Sequence, residues 1–102
     1  MENQNLNQEC IDVCRKCADE CTENAKHCKE EGLHECASLC IECADACNRL
    51  VAEGETNSAA FQKCADACNA CATECEKHDN PHCTNCGEIC RQCEEECNSM
   101  AT

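Results

Sequence analysis

One cysteine spacing, CxxxCxxCxxxC, occurs four times in this 102-residue chain and constrains its fold more than any other feature. Steps of four, three and four residues place side chains on one face of an α-helix, whereas a β-strand would distribute them over both faces. The four copies are Cys10, Cys14, Cys17 and Cys21; Cys36, Cys40, Cys43 and Cys47; Cys64, Cys68, Cys71 and Cys75; and Cys86, Cys90, Cys93 and Cys97. Each copy therefore predicts one helix with a stripe of cysteines.

The two remaining cysteines, Cys28 and Cys83, extend these stripes in phase. In heptad notation every copy places cysteine at positions d and a, which face the partner helices in a bundle. The flanking e and g positions carry small or aliphatic residues, namely Ile11, Val13, Ala18, Ala37, Leu39, Ala44, Ala46, Ala65, Ala67, Ala72 and Ile89. We therefore expect each helix to bury its cysteine stripe together with these flanking positions.

The segments between the copies contain residues that are typical of helix ends. These residues are Gly32 and Gly54 after the first two helices, Asn57 or Ser58 before the third, and Asp79, Asn80 and Pro81 before the fourth. The predicted helices span residues 5–31, 33–52, 58–78 and 81–99. Short connections between long amphipathic helices predict an all-α, antiparallel up-down-up-down four-helix bundle with a cysteine-lined core. We expect a single domain over residues 1–102.

Composition and charge exclude several classes of partner. The net charge of -13 would repel nucleic acids and anionic membranes, and Phe61 is the only aromatic residue on which a base could stack. The N-terminus lacks the pattern of a secretory signal, and no stretch is long and apolar enough to cross a bilayer. These features predict a cytoplasmic protein. In a reducing cytoplasm, 18 cysteines indicate metal binding or redox chemistry rather than a disulfide framework.

An antiparallel arrangement places different chemistry at the two ends of the bundle. All four histidines fall at one end: His27, His34, His78 and His82. The opposite end collects apolar residues: Leu6, Leu50, Phe61 and Met100. We predict that metal enters and leaves at the histidine end, with His78 and His82 as stronger candidate ligands than His27 and His34 because they occupy heptad positions d and a. Met100 is interpreted as a core residue rather than a ligand.

The cysteine spacing suits a soft, monovalent metal. A thiolate–metal–thiolate bridge with bonds of roughly 2.3 Å spans ~4.6 Å, within reach of i, i+4 side chains on a helix. Replacing each thiol proton by one Cu⁺ leaves the net charge of the core unchanged, whereas Zn²⁺ bound by four thiolates leaves two surplus negative charges. The pattern therefore favours Cu(I), with a capacity on the order of 18 ions if every ion and every thiolate takes two partners.

Several alternatives remain open at this point. A zinc or cadmium thiolate buffer would use the same ligands, and a redox sensor would use them to form disulfides between helices. An iron–sulfur electron carrier is a further alternative, although Cys83, Cys86, Cys90 and Cys93 lack the ferredoxin spacing and its proline. Cysteines that only fill a core are a fourth reading. The sequence contains no arrangement typical of a catalytic site, so we do not expect an enzyme.

The sequence resembles the bacterial four-helix-bundle copper storage proteins, in their cytosolic branch. The resemblance covers essentially the whole chain and rests on CIDVCRKCADEC, CASLCIECADAC, CADACNACATEC and CGEICRQCEEEC, with HC at 27–28 and at 82–83. It implies Cu(I) bound along the core, mainly through CxxxC pairs, and histidines near an open mouth. It also implies a homotetramer. Independently of the resemblance, we expect the partners to be copper ions and copper donor or acceptor proteins. Asn24 departs from the cysteine pattern at a d position.

Overall fold

A computed structural model describes residues 2–53 and 58–101, with side chains for residues 8–52 and 59–100. It contains four helices: α1 (Glu2–Glu30), α2 (His34–Glu53), α3 (Ser58–Cys75) and α4 (Pro81–Ala101). Over these ranges there is no β-strand, and the molecule measures 44 × 19 × 18 Å along its principal axes. The predicted all-α four-helix bundle is confirmed. None of the described helices is long and apolar enough to span a lipid bilayer.

The end of α1 forms at the predicted glycine. Gly32 has a φ of 80°, in the left-handed region that favours glycine. Its amide donates to the carbonyl of Lys29 at 3.2 Å, and the amide of Leu33 donates to the carbonyl of Cys28 at 2.8 Å. These two bonds form a Schellman motif, which satisfies carbonyls at the end of the helix. The chain thus reverses direction within three residues and starts α2 at His34.

The connection between α3 and α4 differs from the prediction, because α3 ends at Cys75 rather than at residue 78. After Cys75 the backbone bonds tighten to i, i+3 spacing, as in the 3.1 Å bond from the amide of His78 to the carbonyl of Cys75. Asn80 caps α4 by accepting the amide of Cys83 at 2.9 Å, and Pro81 occupies the first helical position. A cap requires a non-helical backbone at Asn80, so α3 cannot continue up to it.

Four residues of the sequence predictions cannot be compared with this structure. Gly54 and Asn57 lie outside the described residues, and so do the side chains of Leu6 and Ser58. The other helix bounds differ from the predictions by a few residues. α1 starts earlier than residue 5, and α4 continues past residue 99.

Two kinds of helix contact build the bundle. The sequential pairs α1–α2 and α3–α4 pack more extensively than α1–α4 and α2–α3. Small buried residues permit this close approach: Ala18, Ala25, Ala37 and Ala44 in the first pair, and Ala65, Ala72 and Gly87 in the second. A Cβ atom added at Gly87 would lie 3.6 Å from the Cβ of Cys75. The prediction that the flanking positions are buried is correct for the alanines Ala18, Ala37, Ala44, Ala65 and Ala72. The other predicted positions are only partly buried, namely Ile11, Val13, Leu39, Ala46, Ala67 and Ile89.

Candidate metal centre

All 18 cysteine side chains are buried as free thiols, with at most 1% of any residue exposed. They form a continuous sulfur column along the bundle, and its first series of contacts joins α1 to α4. The sulfur–sulfur distances are 3.8 Å for Cys10–Cys97, 3.6 Å for Cys14–Cys93, 3.8 Å for Cys17–Cys90 and 3.7 Å for Cys21–Cys86. Each step along α1 is matched by an equal step back along α4, so these pairs are the rungs of an antiparallel ladder.

A second ladder joins α2 to α3. Its sulfur–sulfur distances are 3.5 Å for Cys47–Cys64, 3.5 Å for Cys43–Cys68, 3.5 Å for Cys40–Cys71 and 3.9 Å for Cys36–Cys75. Diagonal contacts connect the two ladders, for example Cys17 to Cys68 at 4.0 Å and Cys47 to Cys93 at 3.8 Å. The sulfurs are therefore neighbours in three dimensions and not only along individual helices.

Clusters of four sulfurs recur at successive levels of the column. In each cluster the four sulfur atoms lie within 4.8 Å of one another. The described clusters include Cys14, Cys64, Cys93 and Cys97; Cys17, Cys47, Cys68 and Cys93; Cys17, Cys21, Cys43 and Cys90; Cys21, Cys71, Cys86 and Cys90; and Cys40, Cys71, Cys75 and Cys86. Consecutive clusters share a cysteine, so thiolates that bridge metal ions can link one level to the next. This donor set is soft throughout, which suits Cu(I).

Hydrogen-bonding sulfur pairs occur both within CxxxC and between helices. Within CxxxC, the sulfurs are 3.9 Å apart for Cys17–Cys21 and 4.0 Å apart for Cys93–Cys97. The closest pairs of the α2–α3 ladder are shorter, at 3.5 Å. The sequence indicated the pairs within each helix, because helical periodicity fixes which residues share a face. It does not fix the register between helices, which determines the shorter pairs.

Burial and mutual hydrogen bonding perturb the acidity of these thiols. Burial raises the pKa of Cys28 to about 12, and it also raises the pKa of Cys36. Deeper in the column, hydrogen bonds from Cys21 and Cys71 lower the pKa of Cys40 to about 4, while hydrogen bonding to Cys40 raises the pKa of Cys75. A thiolate is thus stabilised where neighbouring thiols donate to it. A bound metal ion has to displace the remaining protons.

The histidine mouth, which we define as His27, His82, Cys28, Cys36 and Cys83, closes one end of the column. The rings of His27 and His82 stack with centroids 4.5 Å apart and planes inclined by 18°. Each of these histidines precedes a cysteine in the sequence, and the sulfurs of those cysteines, Cys28 and Cys83, are 3.9 Å apart. His82 is held between two oxygen atoms, since its Nε2 lies 3.0 Å from Oε2 of Glu31 and its Nδ1 lies 3.4 Å from Oδ1 of Asn24.

The other two predicted histidines are placed differently. His78 lies in the α3–α4 turn, where its Nε2 is 3.0 Å from Oε2 of Glu74. This hydrogen bond lowers the pKa of the Glu74 carboxyl. The ring of His78 borders a surface groove whose lining also includes Cys75 and Cys83. His34 begins α2 and is exposed. The structure therefore brings His27 and His82 together and keeps His78 beside them at the rim.

The opposite end of the column is apolar. Leu50 and Phe61 are buried, and Met100 packs against the same core. We call Leu50, Phe61 and Met100 the apolar end. The predicted difference between the two ends is confirmed for these described side chains. Imidazole side chains, which are candidate metal ligands, thus occur at the histidine mouth, and hydrocarbon closes the far end.

The sequence prediction did not include the carboxylate and amide side chains that surround the histidines. Glu74 precedes His78 by four residues, so helical spacing indicated this contact in principle. Glu31 reaches both His82 and Asn80 only because the turns place them together, with 3.5 Å between Oε1 of Glu31 and Nδ2 of Asn80. Asn24 interrupts the cysteine stripe in the sequence, but its contacts depend on the register between helices. The contacts of Glu31, Asn80 and Asn24 therefore carry no local sequence signal.

Comparison with known proteins places the chain in a family. Residues 2–102 match the family model described as copper storage protein. A solved structure of the Cu(I)-bound copper storage protein BsCsp3 shares 36% sequence identity with a TM-score of 0.88, and the match covers 95% of this chain and 99% of that chain. A cytosolic copper storage protein from Streptomyces lividans, solved with five coppers, shares 32% identity with a TM-score of 0.88, covering 95% and 92% of the two chains.

A comparison with curated protein sequences finds no significant match. The family model nevertheless covers almost the full chain, and both structural relatives exceed 30% identity over nearly all of it. The family is named for storage and not for a catalytic activity. This chain, with its four cysteine stripes converging on one buried column, belongs to the copper storage protein family.

Proposed function

We propose that this protein stores Cu(I) in the cytosol by binding many ions to the thiolates of the sulfur column. The observation that carries the proposal is the unbroken series of buried sulfur clusters with shared members. A carrier needs one accessible site, whereas a column of this kind provides a site at every level. The relatives support the same function, since one is described as Cu(I)-bound and the other as a cytosolic copper storage protein loaded with five coppers.

Charge balance explains why a monovalent metal fits a column without buried cations. Among the described residues, the buried polar or charged side chains are Asn24 and Glu74, and neither is a cation. An uncompensated charge in such an interior is costly. Exchange of one thiol proton for one Cu⁺ is neutral, so the column can fill without accumulating charge. The -13 net charge of the chain would oppose any further accumulation of negative charge.

The metal ligands proposed are the 18 cysteines of the column, together with histidines where copper enters and leaves. The stacked His27 and His82 each precede a mouth cysteine in the sequence, Cys28 and Cys83, and His78 borders the neighbouring groove. The far end offers no such ligands among its described side chains, because Leu50 and Phe61 close it. Copper therefore passes through the histidine mouth. His34 is exposed at the start of α2, so it would contact copper only at the surface.

Anaerobic titration of the reduced protein with Cu(I) tests the storage function. The number of bound ions is measured by elemental analysis after desalting. We expect saturation on the order of 18 Cu(I) per chain, because each ion replaces one thiol proton and bridges two thiolates. About one proton should be released per ion, which pH-stat titration measures independently. Saturation at only a few ions per chain would refute a store.

A zinc or cadmium thiolate buffer is the second candidate, and one observation favours it. Four sulfurs within 4.8 Å of one another form a natural tetrahedral site for a divalent d¹⁰ ion. The clusters share cysteines, however, so they cannot all be filled independently with one ion to four thiolates. Such a buffer would saturate with Zn(II) near one ion per four cysteines and would hold Zn(II) against Cu(I). Displacement of zinc by a stoichiometric amount of Cu(I) excludes this candidate.

The assembly and the exchange partners belong to the same proposal. The chain acts as one domain, and the resemblance to its family implies a homotetramer that exchanges copper with donor or acceptor proteins. Sedimentation equilibrium of the copper-free and copper-loaded protein measures the mass of the assembly. A tetramer has about four times the 11.2 kDa mass of the chain. A monomer at every concentration would contradict this part of the proposal without affecting storage.

A further inference from the structure

Asn24 occupies a place in the column where the α1–α4 ladder would have a sulfur. It is one turn beyond Cys21, and it faces Cys83 as Cys21 faces Cys86. The residue is 2% exposed, and among the described residues it is the only buried neutral polar side chain. Burying an amide is costly unless its polar atoms have partners. The partners of Asn24 therefore determine what it does in the column.

Every polar atom of the Asn24 side chain is used. Nδ2 donates to the sulfurs of Cys40 at 3.4 Å, Cys75 at 3.5 Å and Cys83 at 3.7 Å. Oδ1 accepts from the thiol of Cys83 at 3.7 Å and faces Nδ1 of His82 at 3.4 Å. The single amide of Asn24 thus connects the cluster of Cys40 and Cys75 to Cys83 and His82 of the histidine mouth.

Asn24 is a poor copper ligand but an effective modifier of copper ligands. An amide oxygen is hard and offers little to Cu(I), which prefers sulfur. An N–H group that donates to a thiolate stabilises the free thiolate and reduces the electron density available to a metal. No other buried amide side chain contacts the column in the described residues. At Cys40, Cys75 and Cys83, Cu(I) therefore competes with the N–H groups of Asn24 for the electron pairs of the sulfurs. Copper bound to the other cysteines of the column has no such competitor among the described buried amides.

We infer that Asn24 is a positioning residue that makes Cys40, Cys75 and Cys83 the exchange point of the store. Copper bound there is held less tightly than copper deeper in the column and leaves first. During exchange a bond forms between Cu(I) and the incoming ligand while a Cu–S bond breaks. The electron pair stays on sulfur, which accepts the amide N–H, and no electron is transferred. This inference rests on the proposed storage function.

Release kinetics of Asn24→Leu test the role. The fully loaded protein is mixed with excess bicinchoninate, and the absorbance of its Cu(I) complex gives the rate of copper release. The wild-type chain should show a fast fraction, and Asn24→Leu should slow this fraction about tenfold, the factor expected for loss of one hydrogen bond to a charged group. Total capacity should stay the same, because no thiol is removed. Asn48→Leu, the same change at an exposed position of α2, should release copper as the wild type does.

Asn24→Cys is the second variant, and it keeps the test valid if leucine prevents folding. It completes the ladder with a sulfur, so it should bind about one more Cu(I) per chain and also lose the fast fraction. A merely structural role predicts the opposite kinetics, since a loosened bundle would release copper faster. Unchanged or faster release from a variant that folds and loads fully would overturn the inference. A wild-type capacity of only a few ions would instead refute storage itself, so the two failures are distinguishable.

Discussion

The two ends of the bundle are built on the same cysteine repeat, yet they differ in almost every other respect. At the histidine mouth, the imidazole rings of His27 and His82 stack on each other, and Glu31 and Asn24 hold the ring of His82. At the apolar end the last cysteines are covered by Leu50, Phe61 and Met100. One end offers imidazole side chains, and the other is closed by hydrocarbon, through which a metal ion could pass only at a high free-energy cost.

This difference teaches that the cysteine repeat specifies the sulfur column, while residues outside the repeat specify the end at which copper would enter and leave. A tube with two histidine mouths would load and leak at both ends. A tube with two apolar ends would hold copper without exchanging it. With one end of each kind, as we propose, the column would fill and empty at a single place. The following experiments test this contrast.

Copper loading should produce the largest change in the stability of the folded protein, because each bound ion bonds to thiolates of different helices that otherwise contact one another only as thiols. Any ion that binds only the folded chain stabilises it, by about 4 kcal/mol for one site at a free concentration a thousandfold above its Kd. Since the column offers many sites, the loaded protein should stay folded at urea concentrations that unfold the copper-free protein completely. Circular dichroism at increasing urea measures this. Coincident unfolding curves for the two forms would mean that copper does not occupy the core.

Truncation at the apolar end should cost more stability than truncation at the mouth. Leu50→Ala removes a fully buried side chain and should lower the free energy of unfolding of the copper-free protein by about 2–5 kcal/mol. His82→Ala removes a partly exposed ring and should cost about 1 kcal/mol. Ile41→Ala, at a residue that is 46% exposed, is the surface control for Leu50→Ala. Urea denaturation gives all three values. A larger loss at His82 than at Leu50 would reverse the comparison.

Substitution of a column ligand and substitution of mouth ligands should affect different quantities. Cys43→Ser removes a sulfur from a buried cluster, so it should lower the Cu(I) capacity by about one or two ions per chain. Replacing His78 and His82 together by Ala should leave the capacity unchanged but alter the rate of loading several-fold, as expected for loss of a positioned ligand. Elemental analysis measures capacity, and stopped-flow absorbance measures rate. Equal losses of capacity in the two proteins would refute a distinct mouth.

High pH should produce the smallest of these changes in stability. Hydrogen bonding to Cys14 raises the pKa of Cys10 to about 12 near the apolar end, and burial raises the pKa of Cys28 to about 12 at the mouth. An unfolded thiol ionises near pH 8.5, so the stabilisation is complete below about that pH and is lost as the pH rises towards 12.

The midpoint of urea unfolding of the copper-free, reduced protein should therefore decrease between about pH 9 and about pH 11. Cys28→Ser should reduce the slope of this decrease, because serine does not ionise in the range. A midpoint that is constant or increases with pH would show that these thiols are not protonated in the folded protein.

Much of the fold could be predicted because the period of the cysteines matches the period of a helix. The four helices, the buried stripe and the turn at Gly32 all follow from local sequence, and Gly32 has the positive φ that its position requires. The end of α3 at Cys75 was missed, since the cap formed by Asn80 competes with helical continuation through residues 76–78. Capping strength and helix propensity are too similar there for the sequence to decide.

The site was predictable in its ligand types but not in its pairings. Periodicity indicated that every cysteine faces the axis, and all of them are buried. The 3.5 Å contact between Cys43 and Cys68 depends on how far α2 slides along α3, which small residues between the helices and the turns determine together. The same register brings Asn24 to Cys83 and His82. Such long-range contacts leave no trace in the spacing of any one helix.

A crystal structure of the copper-loaded protein, with anomalous data collected on both sides of the copper absorption edge, tests the sulfur column most directly. We predict a line of copper sites along the bundle axis from the level of Cys10 and Cys97 to that of Cys28 and Cys83. Each site should be bonded to sulfur at roughly 2.3 Å. Copper bound to carboxylates on the outside of the bundle, with the axis empty, would contradict it.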